Sequence, residues 1–272
     1  MALNTTHPEI DSFTADDLPA AAGLQPDGWP DIFPSIEYYC KSDFCFPLKA
    51  SLKGKIVGIG TAIIHGYTAW LAHIIVSPNH RNAGIGSVIT KALIDLCQKN
   101  SCRTLLLIAT ALGEPVYKKF GFEVETKYLF FDHGVSPTGE ASPDIFAFQK
   151  RHEEALFELD RVVSGEDRKK LFREHLNNAL VFVENDLLKG FYMPTLGDGL
   201  IIAESPAAGL AFMKLRAALT KKFCVPMLNE NALNFLIQHG FIEYRQASRM
   251  ILGEKVKWYG SKVYNRIGGN LG

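Results

Sequence analysis

Two apolar runs, Pro47–Leu52 and Lys55–Ile64, meet at Lys53-Gly54, a dipeptide suited to a two-residue hairpin turn. After a second turn at His65-Gly66, the β-branched and aromatic run Thr68–Val76 predicts a third strand, stopped by Pro78 and Asn79. From Ile85 the apolar period changes from 2 to 3.6: Ile85, Val88, Ile89, Ala92, Leu93 and Leu96 fall on one helical face. Thr104–Ala109 predicts another strand, a short helix follows Pro115 and closes at Gly121, and Tyr128–Phe131 predicts one more strand. A helix over Ile32–Lys41 precedes the hairpin. A meander that feeds a β-α-β unit makes a mixed sheet with helices packed on it, an α/β (α+β) fold.

From Asp132 to Asp144 the chain is polar and rich in Gly and Pro, and this predicts a linker. Beyond it, helices are expected over His152–Val163 and Asp167–Asn178, with Ser164 as N-cap of the second. Strands are expected at Ala179–Val183, Gly190–Pro194, Leu200–Ala203 and Tyr244–Leu252, and helices over Ala207–Thr220 and Glu230–His239. The organisation expected is a first domain over 1–135, a linker over 136–150 and a second domain over 151–272. The basic, aromatic tail Lys255–Lys262, with Trp258 and Tyr259, and its continuation Arg266–Asn270 are too short for a nucleic-acid patch and predict a surface strand.

Composition narrows the classes. A length of 272 residues suits two domains, and 29 Lys+Arg against 29 Asp+Glu leave no net charge. No global basic field is available to hold nucleic acid or anionic lipid, so neither is expected as a partner. The longest apolar runs, such as Leu105–Leu112, fall far short of the roughly 20 residues that span a bilayer. The start of the chain lacks a basic stretch followed by an apolar one, so no signal peptide is expected. Cys40, Cys45, Cys97, Cys102 and Cys224 are odd in number and form no C-x-x-C pair, which predicts reduced thiols, a cytoplasmic location and no metal.

The chemistry gathers at the junction Ser77-Pro-Asn-His-Arg81-Asn-Ala-Gly84-Ile-Gly86-Ser87. Two glycines let the backbone approach a ligand, the helix that follows turns unpaired N–H groups toward it, and Arg81 adds a cation: together a cradle for a pyrophosphate, though a plain helix start has the same look. No Walker lysine follows Gly86, and no strand-G-x-G-x-x-G opens the chain. With Val76 ahead of it, Arg81-Asn-Ala-Gly84-Ile-Gly86 resembles motif A of the GNAT superfamily of acyl-CoA-dependent N-acyltransferases. Gly113-Glu-Pro-Val-Tyr117-Lys-Lys-Phe-Gly121-Phe122 resembles that superfamily's motif B, and the resemblance covers residues 5–135.

The resemblance implies acetyl-CoA as co-substrate, its pantetheine arm on the strand ending Ile74-Ile75-Val76 and its pyrophosphate on the N–H groups of Arg81, Asn82, Ala83, Gly84, Ile85, Gly86 and Ser87. It implies that Tyr117 protonates the leaving thiolate. Thr110 stands where the family often has an asparagine that contacts the cofactor. The reaction implied is direct attack of a primary amine, from a small molecule or a peptide, on the thioester. Its base is not fixed by the family. His73, three residues before Val76, is the candidate, with a core histidine as the competing reading; Glu37 is the fallback, against a solvated helix face. Trp29, Phe33, Tyr38 and Tyr39 are candidates to wall the acceptor site. A CoA-binding sensor or assembly module is the alternative function, and a homodimer is left open.

The second half repeats the first. Val116–Glu123 aligns with Phe235–Ile242, which sets Leu236 in the place of Tyr117, while Ser205-Pro-Ala-Ala-Gly209 lacks the arginine and the second glycine of the first junction. Ala109-Thr110 through Phe122, and Arg249-Met250-Ile-Leu-Gly253, resemble a GNAT subfamily in which an active domain precedes a degenerate one. One active site per chain follows.

Overall fold

Lys53 and Gly54 both take positive φ (50° and 73°), as a hairpin turn matched to strand twist requires, and join β2 (Cys45–Leu52) to β3 (Lys55–His65). The computed structural model describes residues 7–137 and 142–271. Ahead of the hairpin lie an edge strand β1 (Glu9–Ser12) and helix α1 (Phe33–Lys41). After it come β4 (Thr68–Val76), α2 (Ile85–Lys99), β5 (Thr104–Ala109), α3 (Glu114–Lys118) and β6 (Glu123–Asp132). The second half contains β7 (Ile145–Ala147), α4 (Glu153–Ser164), α5 (Lys169–Arg173), β8 (Leu180–Glu184), β9 (Leu187–Met193) and β10 (Leu200–Ala203). It ends with α6 (Pro206–Leu219), β11 (Phe223–Pro226), α7 (Glu230–Gln238), β12 (Ile242–Gly253) and β13 (Val263–Asn265).

The two halves exchange strands. One sheet runs β1-β2-β3-β4-β5-β12-β6-β11 and the other β13-β10-β9-β8-β7. Thus β12 from the second half lies between β5 and β6, antiparallel to both, while β6 carries β11 on its outer side. A backbone cut at residue 135 would therefore leave β5 without the neighbour that satisfies its outer edge. The core is shared likewise: Tyr39, Trp70 and Leu106 pack in one buried cluster with Phe157, Phe172 and Leu200.

Helix α2 lies close on β3 because Gly58 and Gly60 have no side chains; a Cβ at Gly60 would stand 2.7 Å from Ile89 and 2.9 Å from Leu93. That contact places the start of α2 beside the end of β4.

Several expectations are revised. Ser164 is the last residue of α4, and its hydroxyl accepts from the Glu166 N–H (3.0 Å); Arg168 precedes α5, which is one short turn and not a helix over Asp167–Asn178. The stretch expected as linker contains an edge strand, Ile145–Ala147, paired with β8; its residues 138–141 lie outside the described residues. The tail is no surface strand: Lys255–Lys262 has no strand, the strand that follows it, Val263–Asn265, is buried, and Arg266, Ile267 and Gly268 are buried as well. Among the described residues no helix is long and apolar enough to cross a membrane.

Candidate active site

Strands β4 and β5 run parallel but pair only at Thr68↔Thr104, Ala69↔Leu105 and Trp70↔Leu106. Beyond Trp70 they part, while on the other side of β5 strand β12 pairs along its whole length, from Gly253↔Thr104 to Ser248↔Ala109. The backbone of Leu71–Val76 thus faces a wedge with no strand in it. A β-bulge drives the parting: between Ala72↔Thr61 and Ile75↔Ile59, two residues, His73 and Ile74, oppose Gly60 alone. His73 sits in the left-handed region (φ 46°), a strained conformation for a side chain of this size.

At the end of β4, Arg81 directs its Nε toward the Val76 carbonyl (3.4 Å). Arg81, Asn82, Ala83 and Gly84 are exposed, Ile85 is buried under the helix, and Gly86 and Ser87 are partly open. Gly84 takes φ 80° at the N-cap of α2 and brings no side chain to the helix's first N–H groups. A fifteen-residue helix with an uncapped N-terminus in an exposed, positively charged loop suits a diphosphate. Thr110 follows β5; its Oγ1 takes the Gly113 N–H (3.3 Å), so it braces the turn into α3.

Helix α3 carries Tyr117, whose ring meets Phe122 edge-on at 6.0 Å. Its hydroxyl makes no hydrogen bond among the described residues, and burial pushes its pKa up to about 12. Glu114, on the same helix, accepts from Ser248 Oγ (2.6 Å), which ties α3 to the exchanged strand β12. Loop, helix and tyrosine therefore converge outside the carboxyl ends of β4 and β5, where α/β folds place their ligands.

His73 Nδ1 stands 2.9 Å from Tyr39 Oη, and that oxygen accepts from Asn270 Nδ2 at 2.8 Å. Burial lowers the imidazole pKa to about 4 and raises that of the Tyr39 phenol far above its ordinary value. Glu37 is exposed and paired with Lys41 (2.6 Å), a solvated helix face and no base. Of the aromatics, Phe33 joins a core cluster, Trp29 is 43% exposed, Tyr38 packs on the shared core and Tyr39 alone meets His73. Sequence reasoning named Tyr39 only as a wall and missed Asn270. The Arg249-Met-Ile-Leu-Gly253 motif is structural: Arg249 is 1% exposed between Trp70 and Trp258 (5.3 and 4.3 Å to the ring centroids), with Nη1 2.9 Å from Glu125. No group of three or more His, Cys, Asp or Glu among the described residues is arranged to hold a metal ion.

Residues 12–122 match the family model described as Acetyltransferase (GNAT) family. The first half of the chain is thus similar to a GNAT acetyltransferase domain, and the match covers less than half of the whole. The uncharacterized N-acetyltransferase YjcF of Bacillus subtilis is 33% identical over 81 residues, which are 30% of this chain and 58% of that relative. The chain thus spans little more than half the length of the curated relative it matches. In fold, the chain is similar to an acetyltransferase candidate from Pyrococcus horikoshii (TM-score 0.83, 20% identity, 100% of this chain and 98% of that one). It is also similar to a tandem GNAT protein from the clavulanic acid biosynthesis pathway (TM-score 0.59, 12% identity, 90% and 98%). The fold of the chain, with two sheets flanked by helices and β12 of the second half paired between β5 and β6 of the first, fits two GNAT-like units.

Proposed function

We propose that this chain is an acetyl-CoA-dependent N-acetyltransferase that acetylates a primary amine, of a small molecule or a peptide, by direct attack. The observation that carries the reading is the wedge between β4 and β5: it ends at an uncapped helix and has a tyrosine with a free hydroxyl beside it. In this reading Ile74, Ile75 and Val76 offer backbone groups to the pantetheine arm, and the N–H groups from Arg81 to Ser87 hold the diphosphate. The amine nitrogen bonds to the thioester carbon, and the C–S bond breaks. His73 Nε2 takes the proton that the nitrogen loses, and Tyr117 Oη gives its proton to the departing sulfur.

The acid–base balance favours these assignments unequally. Tyr117 keeps its proton up to about pH 12 and always has one to give. Against a thiol near 8.5 the transfer runs uphill by about 5 kcal/mol, unless the same apolar surroundings raise the thiolate's affinity as well. His73 is unprotonated from about pH 4 upward, so its lone pair is available throughout the physiological range. Its weak basicity suits a proton from an amine already bonded to the acyl carbon better than one from a free ammonium ion. The five free cysteines, four of them buried, fit the reducing cytoplasm.

Two measurements test the proposal. Titration calorimetry should find one acetyl-CoA per chain; no binding at millimolar concentration removes the reading. With an acceptor found by screening amines for thiol release, Tyr117→Phe should lower kcat by about a hundredfold or more and leave acetyl-CoA affinity within about twofold. Equal turnover would remove the acid role and leave a binding module.

A further inference from the structure

In the second half, β10, α6 and β11 stand in the order of β4, α2 and β5. Among the described residues no ladder joins β10 to β11. Here the gap is filled. Strand β13 pairs with β10 (Ile201↔Asn265, Ile202↔Val263), and the Arg266 N–H donates to the Cys224 carbonyl of β11 at 3.0 Å. Asn265 is fully buried: its Oδ1 accepts from the Cys224 N–H (2.9 Å), and its Nδ2 donates to the carbonyls of Asp198 and Gly199 (2.8 Å each). Ser205 caps α6 by accepting from the Ala208 N–H (3.3 Å). The ring of Tyr264 lies so close to Gly209 that a Cβ there would fall 2.3 Å from it. A strand of the chain itself thus occupies the place where the first half leaves β4 and β5 apart.

That segment continues to the site of the first half. Ile267 is wholly buried in the shared core, Gly269 lies near Ile108 of β5, and Asn270 donates to Tyr39 Oη, which meets His73 Nδ1. Two residues 231 positions apart are thereby joined in one hydrogen-bonded row. In the tautomer that this role requires, the Nδ1–H donates to Tyr39 Oη and Nε2 keeps its lone pair for the substrate.

We propose that Asn270 is a positioning residue for His73, acting through Tyr39 and delivered by a tail that fills the second half's own slot. The degenerate half is then a holder for one residue of the active half. The proposal rests on the part assigned above to His73, and its test is chosen to fail separately. In the full chain labelled with ¹⁵N-histidine, His73 is assigned by its loss in His73→Gln, and its imidazole resonances are followed in Asn270→Ala, Asn270→Gln and Tyr39→Phe. Asn270→Ala and Tyr39→Phe should both shift the His73 nitrogens, and Asn270→Gln, which keeps the donor, should return them toward wild type. Amine kcat/KM in Asn270→Ala should fall about tenfold, the loss of one hydrogen bond, while acetyl-CoA affinity is unchanged. Unshifted His73 resonances in both Asn270→Ala and Tyr39→Phe overturn the positioning role, whatever the activity. If no amine is acetylated but the resonances shift, the proposed reaction fails and the positioning of His73 stands.

Discussion

Acid should destabilise this protein through His65. The residue is 3% exposed, its ring lies 5.8 Å from that of Phe44, and burial lowers its pKa to about 4, against smaller opposing effects from Glu166 and the Leu271 backbone. In the unfolded chain the same imidazole titrates near 6.5. Between those values the unfolded state binds the proton and the folded state does not. Stability is therefore full above about pH 6.5 and falls as the pH drops toward 4. At pH 5 the unfolded imidazole is roughly 97% charged and the folded one roughly 9%, so this residue alone removes about 2 kcal/mol between pH 7 and pH 5. Urea midpoints at the two pH values, converted with a common m, measure it. His65→Gln carries its own cost at both pH values, which cancels in the difference. The variant should lose about 2 kcal/mol less than the wild type over this interval. An equal loss in both proteins would refute the reasoning, because His65 would then be charged in the folded state or titrate alike in both.

Other outcomes follow from the same geometry. Because His73 is neutral above about pH 4 and Tyr117 protonated below about 12, kcat/KM should rise with pH along a limb set by the pKa of the amine itself; a limb near 6.5 that stays put when the amine is changed would exclude His73 as proton acceptor. Residues 1–135 alone should not yield a soluble folded domain, since β5 and β6 would both lack β12; a dispersed amide spectrum from that fragment would show the exchange to be dispensable. Asp160→Asn should cost about 3–5 kcal/mol in urea unfolding, because it leaves the fully buried Arg168 guanidinium without its partner.

Elements with strong local patterns were legible. Thr104–Ala109 and Leu200–Ala203 form strands with the expected ends, and the helix from Ile85 begins where the period changes. Strands lacking such a pattern were not. Glu9–Ser12 is a polar edge strand, Phe223–Pro226 is a short run ended by proline, and Val263–Asn265 has three residues. Register and partnership were also out of reach, because β12 reads the same whether it pairs within its own half or in the other. At the candidate site, the glycine loop and Tyr117 are the residues that spacing singles out. The His73–Tyr39–Asn270 row does not, since a bulge that turns His73 and a contact across 231 residues leave no local pattern.

The exchanged strand also sets a timetable for synthesis. About 120 residues separate the end of β6 from the end of β12. At roughly 5–20 residues per second, the ribosome needs about 6–24 seconds to cover that distance. Throughout that interval the apolar edge of β5, Leu105 to Leu107, has no strand beside it and offers a template to any extended chain nearby. Nascent copies on one messenger are therefore exposed to one another before they are complete. The spacing of ribosomes and the attention of chaperones, more than the stability of the finished molecule, then govern how much of it reaches the native state.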